Sequence, residues 1–127
     1  MRISPYLYAP DSYLRALPDV VAKIVNGCGP GGWKVDLVPD TILLLSVKES
    51  CNIHDWCYSE GSSEEYRLWA DDLLHQNLRA TIFHAADRSW FSKILMPHRL
   101  VRAAEYYYAV RAFGSDPFWV GKDRPKE

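Results

Sequence analysis

Residues 51–58 read CNIHDWCY and residues 27–32 read GCGPGG, and these two stretches hold the residue types that could do chemistry. In the first, a histidine able to move a proton, His54, stands beside a carboxylate able to hold a cation, Asp55. In the second, closely spaced glycines let backbone carbonyls and amides approach a ligand, because a residue without Cβ adopts positive φ. Together they point to metal-assisted hydrolysis. The glycine stretch lacks the lysine and following helix of a phosphate-binding P-loop. It suits a hard cation instead, with Asp55 giving the charge that calcium needs, and simple turn chemistry is the alternative.

If residues 51–58 are helical, Cys51 and Asp55 lie one turn apart, as do His54 and Tyr58, so His54 and Asp55 project on adjacent faces. Asp71 and Asp72 fall in the helix expected to return antiparallel after Gly61. Positions 54 and 71 then stand at similar height, and one of the two aspartates can face His54, fixing its tautomer and stabilising an imidazolium. An ordinary solvated charge is the competing reading for each. Cys51, His54 and Cys57 have ligand-like spacing, but on a straight helix they fan over about 120°, which does not suit one tetrahedral zinc site. By the same geometry Ala70 faces Cys57, whose neighbours suggest a buried, inert thiol.

The elements that must position these groups read as all-α. Leu14, Leu17, Val21 and Ile24 or Val25 mark an amphipathic helix over residues 11–25 that restarts at Pro18, with a stop at Asn26 and Gly27. Residues 28–40, with Pro30, Gly31, Gly32 and Pro39, read as a long loop. The apolar run from Thr41 fits a buried strand or a helix, and helix is favoured because Leu44, Val47, Cys51, Asp55 and Tyr58 continue one face without a breaker until Gly61. Ser62 and Glu65 have capping-box spacing for a second helix to about Ala86. Asp87 or Ser89 caps a third region that meets Pro97 and stops at Gly114. The expected architecture is two longer central helices joined by a short turn, with a glycine loop before the first and helical caps at both ends.

At 127 residues with 48% apolar composition, the chain reads as a single domain, 1–127, with residues 115–127 as a flexible tail. A formal net charge of -1 provides no field to attract nucleic acid. No apolar run reaches the roughly 18–20 residues of a membrane-spanning helix. The N-terminus shows no apolar core of a signal peptide, so the chain reads as cytoplasmic unless exported by another route. Three cysteines allow at most one intramolecular disulfide.

Taken together, these residues resemble the secreted phospholipase A2 superfamily, in particular bacterial or phage-type members. Its signatures are a CGxGG calcium loop, a CxxHDxC helix ending in Tyr, and an Asp on the antiparallel partner helix. Here they stand as Cys28-Gly29-Pro30-Gly31-Gly32, as Cys51-Asn52-Ile53-His54-Asp55-Trp56-Cys57-Tyr58, and as Asp71 after Ala70. The match covers roughly residues 26–78. The resemblance implies that His54 is the general base, Asp71 its orienting carboxylate, and Tyr58 a hydrogen-bonding support for that aspartate. It implies Ca2+ held by Asp55 and the carbonyls of Gly27, Gly29 and Gly31, with the Gly29 amide aiding the oxyanion. The implied activity is hydrolysis of the sn-2 ester of glycerophospholipids at a phospholipid or membrane surface; the alternative is a non-catalytic calcium- or protein-binding module on the same scaffold.

The resemblance also implies a Cys28–Cys51 disulfide, while Ala70, Ser50 and Asn77 stand where many members carry further bridges. The core must then replace those staples, and Trp90, Phe91 and the tyrosines at 106–108 are where that packing is expected. Gly27 stands where a tyrosine is common, but only its backbone oxygen is used. A calcium site and a disulfide suit an oxidising, calcium-rich space, which a delivered effector or a module of a larger assembly would reconcile with the absent export signal.

Overall fold

The glycine stretch and its surroundings, residues 25–40, lie outside what can be described; the computed structural model describes residues 6–16, 18–24, 41–119 and 121–122. Two short helices come first, α1 (Asp11–Arg15) and α2 (Pro18–Ile24). Ala16 is extended, with ψ 146°, and Pro18 opens α2, where its fixed φ and missing amide proton do no harm. This is the break that the proline predicts.

A two-stranded hairpin follows, β1 (Thr41–Ile42) and β2 (Leu45–Ser46), with Thr41 opposite Ser46 and Ile42 opposite Leu45. The helix expected from Thr41 is therefore corrected: α3 spans only Lys48–Glu60. Leu43 and Leu44 take φ values of 45° and 73°, the two left-handed residues of a type I′ turn. The turn sends Ile42 and Val47 into the core and leaves Leu44 85% exposed.

Residues 61–63 turn the chain into α4 (Glu64–Arg88). The cap is Ser63, whose hydroxyl accepts from the Tyr66 amide at 3.1 Å, one residue later than the expected Ser62 and Glu65 pair. Gly61 is required here because a Cβ would run into the rings of Tyr66 and Phe118. Ser89 caps α5 (Trp90–Phe113), which continues through Pro97 and ends at Gly114. The last helix, α6 (Ser115–Trp119), lies in the stretch expected to be a flexible tail, but Phe118 is 0% exposed and Trp119 is buried beside it.

The long antiparallel pair is thus α4 and α5, of 25 and 24 residues, and not α3 and α4. One side of α4 packs Leu74, Leu78 and Ile82 against Ala103, Tyr106 and Val110 of α5, with Ile42, Val47 and Cys51 closing the cluster. Its other side packs Ala70 and Leu73 against Ile53, Cys57 and Tyr58 of α3 and against Phe118 and Trp119. Burying each large apolar side chain contributes roughly 1.5–3 kcal/mol. The expected aromatic core is corrected accordingly: Trp90 and Tyr108 are 75% and 66% exposed, and of the three tyrosines only Tyr106 is buried.

Polar clamps complete the frame. Asn77, 0% exposed, accepts from the Tyr8 amide at 3.0 Å and donates to the Tyr8 carbonyl at 2.9 Å, so a side-chain amide ties the N-terminal segment to α4. From α5, Arg99 donates to the Leu43 carbonyl at 2.7 Å and Tyr106 to the Thr41 carbonyl at 2.9 Å, which seats the hairpin. The mostly helical content agrees with the all-α expectation apart from that hairpin. Among the described residues no helix is long and apolar enough to cross a membrane.

Candidate active site

α3 and α4 run antiparallel on either side of the turn at residues 61–63, which brings His54 level with Asp71. His54 Nε2 lies 2.8 Å from Asp71 Oδ1, and both side chains are buried, at 5% and 0% exposure. Tyr58, one turn beyond His54 on the same face of α3, donates its hydroxyl to the same Oδ1 at 2.6 Å. The His54 and Tyr58 rings stand 4.1 Å apart between centroids, so the two donors are packed against each other.

A carboxylate removed from water costs several kcal/mol unless donors and opposite charge replace its hydration. Asp71 has both. Its second oxygen accepts from Arg111 Nε at 3.3 Å and faces Arg67 Nη1 at 3.6 Å. That Arg67 nitrogen has no hydrogen-bond partner, so it acts on Asp71 as a charge. The rest of the Arg67 guanidinium grips Glu64, with Nη2 at 2.8 Å. Burial, reinforced by the negative charge of Asp71, pushes the Tyr58 hydroxyl well above its usual range, so it remains a donor at any working pH.

Because the carboxylate only accepts, Nε2 carries the imidazole proton and Nδ1 keeps a lone pair. The contact fixes one ring nitrogen of His54 and with it the orientation of the imidazole. Between the two aspartates left open by the sequence, the geometry selects Asp71. Asp72 is exposed and bonded to Arg111 Nη2 and the Tyr107 hydroxyl, each at 2.9 Å.

Asp55, partly buried, follows His54 on the adjacent face of α3. Gly27, Gly29 and Gly31, expected to complete a calcium cage, lie outside the described residues, as does Cys28. Among the described residues no three His, Cys, Asp or Glu side chains cluster as a metal site. One carboxylate supplemented by backbone carbonyls is a donor set of hard oxygens of the kind that suits calcium, and of the four expected ligands only Asp55 falls among the described residues. Cys51 is buried and is not among the free thiols, whereas Cys57 is free, packed in the same cluster as Ala70. Burial pushes the Cys57 thiol up to about 12, as befits an inert core residue.

Three contributors escaped the sequence reading. Arg67 sits one turn before Asp71 and carried a readable signal, since a basic residue four positions away shares its face. Arg111 gave none, because only the return of α5 along α4 brings it there. Gly114 was read as a helix stop, but its place is also steric: a Cβ would collide with the Tyr58 hydroxyl and the Val110 carbonyl. Searches of protein-family models, curated proteins and solved structures found no match to this chain.

Proposed function

We propose that the protein is a calcium-dependent phospholipase A2-like hydrolase that cleaves the sn-2 ester of glycerophospholipids. The observation that supports this reading most is the buried His54–Asp71 pair with Tyr58 on the same oxygen. His54 Nδ1 would take a proton from water as that water attacks the ester carbonyl, with no covalent acyl-enzyme required. Asp71 holds the ring in the tautomer that leaves Nδ1 free and stabilises the imidazolium that forms. Tyr58, Arg67 and Arg111 keep the carboxylate in place and its charge balanced.

Asp55, together with the carbonyls of Gly27, Gly29 and Gly31, would hold the ion, and the Gly29 amide would donate to the developing oxyanion. Calcium, when bound, supplies a Lewis acid for the ester carbonyl and a counter-charge for the lipid phosphate. A Cys28–Cys51 disulfide would tether the glycine loop to α3.

The test uses vesicles of a phospholipid labelled on its sn-2 acyl chain, in calcium or in chelator. Release of labelled fatty acid in calcium alone is the expected result. Release that is equal in chelator, or of the sn-1 chain instead, would overturn the reading.

A further inference from the structure

The outward face of α5 carries an apolar stripe that nothing in the proposed reaction uses. At 3.6 residues per turn, Trp90, Ile94, Pro97, Val101, Tyr108 and Ala112 fall within about 40° of one line along the helix. The buried residues Arg99, Ala103, Tyr106 and Val110 occupy the opposite side. Trp90 is 75%, Ile94 61%, Val101 61% and Tyr108 66% exposed, and Pro97 and Ala112 are exposed as well. Side chains of these sizes offer roughly 600 Å² of accessible surface per chain, so two copies would bury at most about 1,200 Å², the lower edge of a stable interface.

We propose that this stripe is a self-association surface on which a second copy of the chain lies antiparallel, α5 against α5, with the two-fold axis at Val101. A two-fold contact must be self-complementary, and this stripe is so only in that direction. Trp90 of one copy falls opposite Ala112 of the other, large against small, and Ile94 falls opposite Tyr108. Glu105, which also faces Arg102 of its own chain at 3.8 Å, shares one flank with His98 of the second copy at heights one residue apart, and the contact is made twice. Lys93 shares the other flank with Arg111 of the second copy at heights two residues apart, and the Arg111 charge is already balanced by Asp71 and Asp72. A parallel pair would instead set Trp90 on Trp90, Pro97 on Pro97 and Lys93 on Lys93, combining steric mismatch with like charges.

The proposal does not depend on the hydrolase reading. Its test is the mass of the full chain in solution by light scattering and sedimentation, across a micromolar to submillimolar range. The expected result is a species of twice 14.6 kDa that Val101→Glu converts to monomer, weakening association more than about 100-fold by placing two like charges at the axis. Far-UV circular dichroism of that surface variant should match the wild type. Glu105→His should weaken the dimer, and adding His98→Glu should restore it.

Cysteine cross-linking reads the direction. Under mild oxidation Val101→Cys should link two chains, while Ala112→Cys should not. A parallel pair would set position 112 on its own copy as well as position 101, so cross-linking by Ala112→Cys would overturn the antiparallel arrangement. A monomeric wild type at every concentration would overturn the proposal, and so would a monomer that adsorbs to phosphatidylcholine vesicles through Val101, since the stripe would then face lipid.

Discussion

Arg111 Nε lies 3.3 Å from Asp71 Oδ2, the carboxylate oxygen that His54 leaves unused. The same guanidinium reaches Asp72 at 2.9 Å and the Leu68 carbonyl at 3.1 Å, so one side chain from α5 fastens three points of α4. Arg111→Gln should lower unfolding stability by about 1–3 kcal/mol in urea titration, because a buried carboxylate loses a charged donor. Arg111→Lys should not restore it, since an ammonium cannot span three acceptors as the guanidinium fork does. Full stability in Arg111→Lys would show that charge alone matters.

Gly114 and Tyr58 should be energetically coupled. A methyl group on residue 114 meets the Tyr58 hydroxyl, so Gly114→Ala should cost about 1–3 kcal/mol and displace that hydroxyl from Asp71. In Tyr58→Phe the obstructing oxygen is gone, and the cost of Gly114→Ala should fall by at least about 0.5 kcal/mol in a double-mutant cycle. Strict additivity would show that the Val110 carbonyl accounts for the whole clash.

The hairpin turn offers a stabilising change. Leu43 and Leu44 occupy left-handed φ, which L-residues with a Cβ adopt at a cost of roughly 1–2 kcal/mol each. Asn at 43 and Gly at 44 is the pair this turn type favours. The double substitution Leu43→Asn and Leu44→Gly should raise the melting temperature by a few degrees, the shift that about 1 kcal/mol brings in a domain of this size. A lower melting temperature would mean that the leucine side chains hold the turn by packing.

How far the sequence could be read follows from which interactions are local. The α3 register, the return of α4 and the pairing of His54 with an aspartate near position 71 follow from helical periodicity around a single glycine turn. The hairpin did not, because an apolar run such as ILLLSV satisfies helix and strand alike and its turn has no Asn-Gly signal. Nor was the burial of Phe118 and Trp119 readable: their partners Tyr58, Ala70 and Leu73 lie far upstream. The same holds for Arg111, whose role is set by the return of α5 along α4 and by no spacing within it.

Alkaline pH should destabilise the fold through Cys57. Burial raises this thiol from its ordinary 9.0 to about 12, so between those values the unfolded chain gives up a proton that the folded chain keeps. The stability contribution is complete below pH 9.0 and is lost as pH rises toward about 12. Urea midpoints should therefore drop between mildly and strongly alkaline buffer, and Cys57→Ala should flatten that drop whatever its effect at neutral pH. An unchanged slope in Cys57→Ala would assign the loss to other groups, the buried Tyr58 first among them.

The proposed role of His54 as proton acceptor is tested most directly by the initial rate of sn-2 fatty-acid release in calcium, measured for the wild type and for His54→Gln of matching fold. A rate reduced by about 10²-fold or more in the variant is the predicted result. Equal rates in the two proteins, or no release by either, would contradict it.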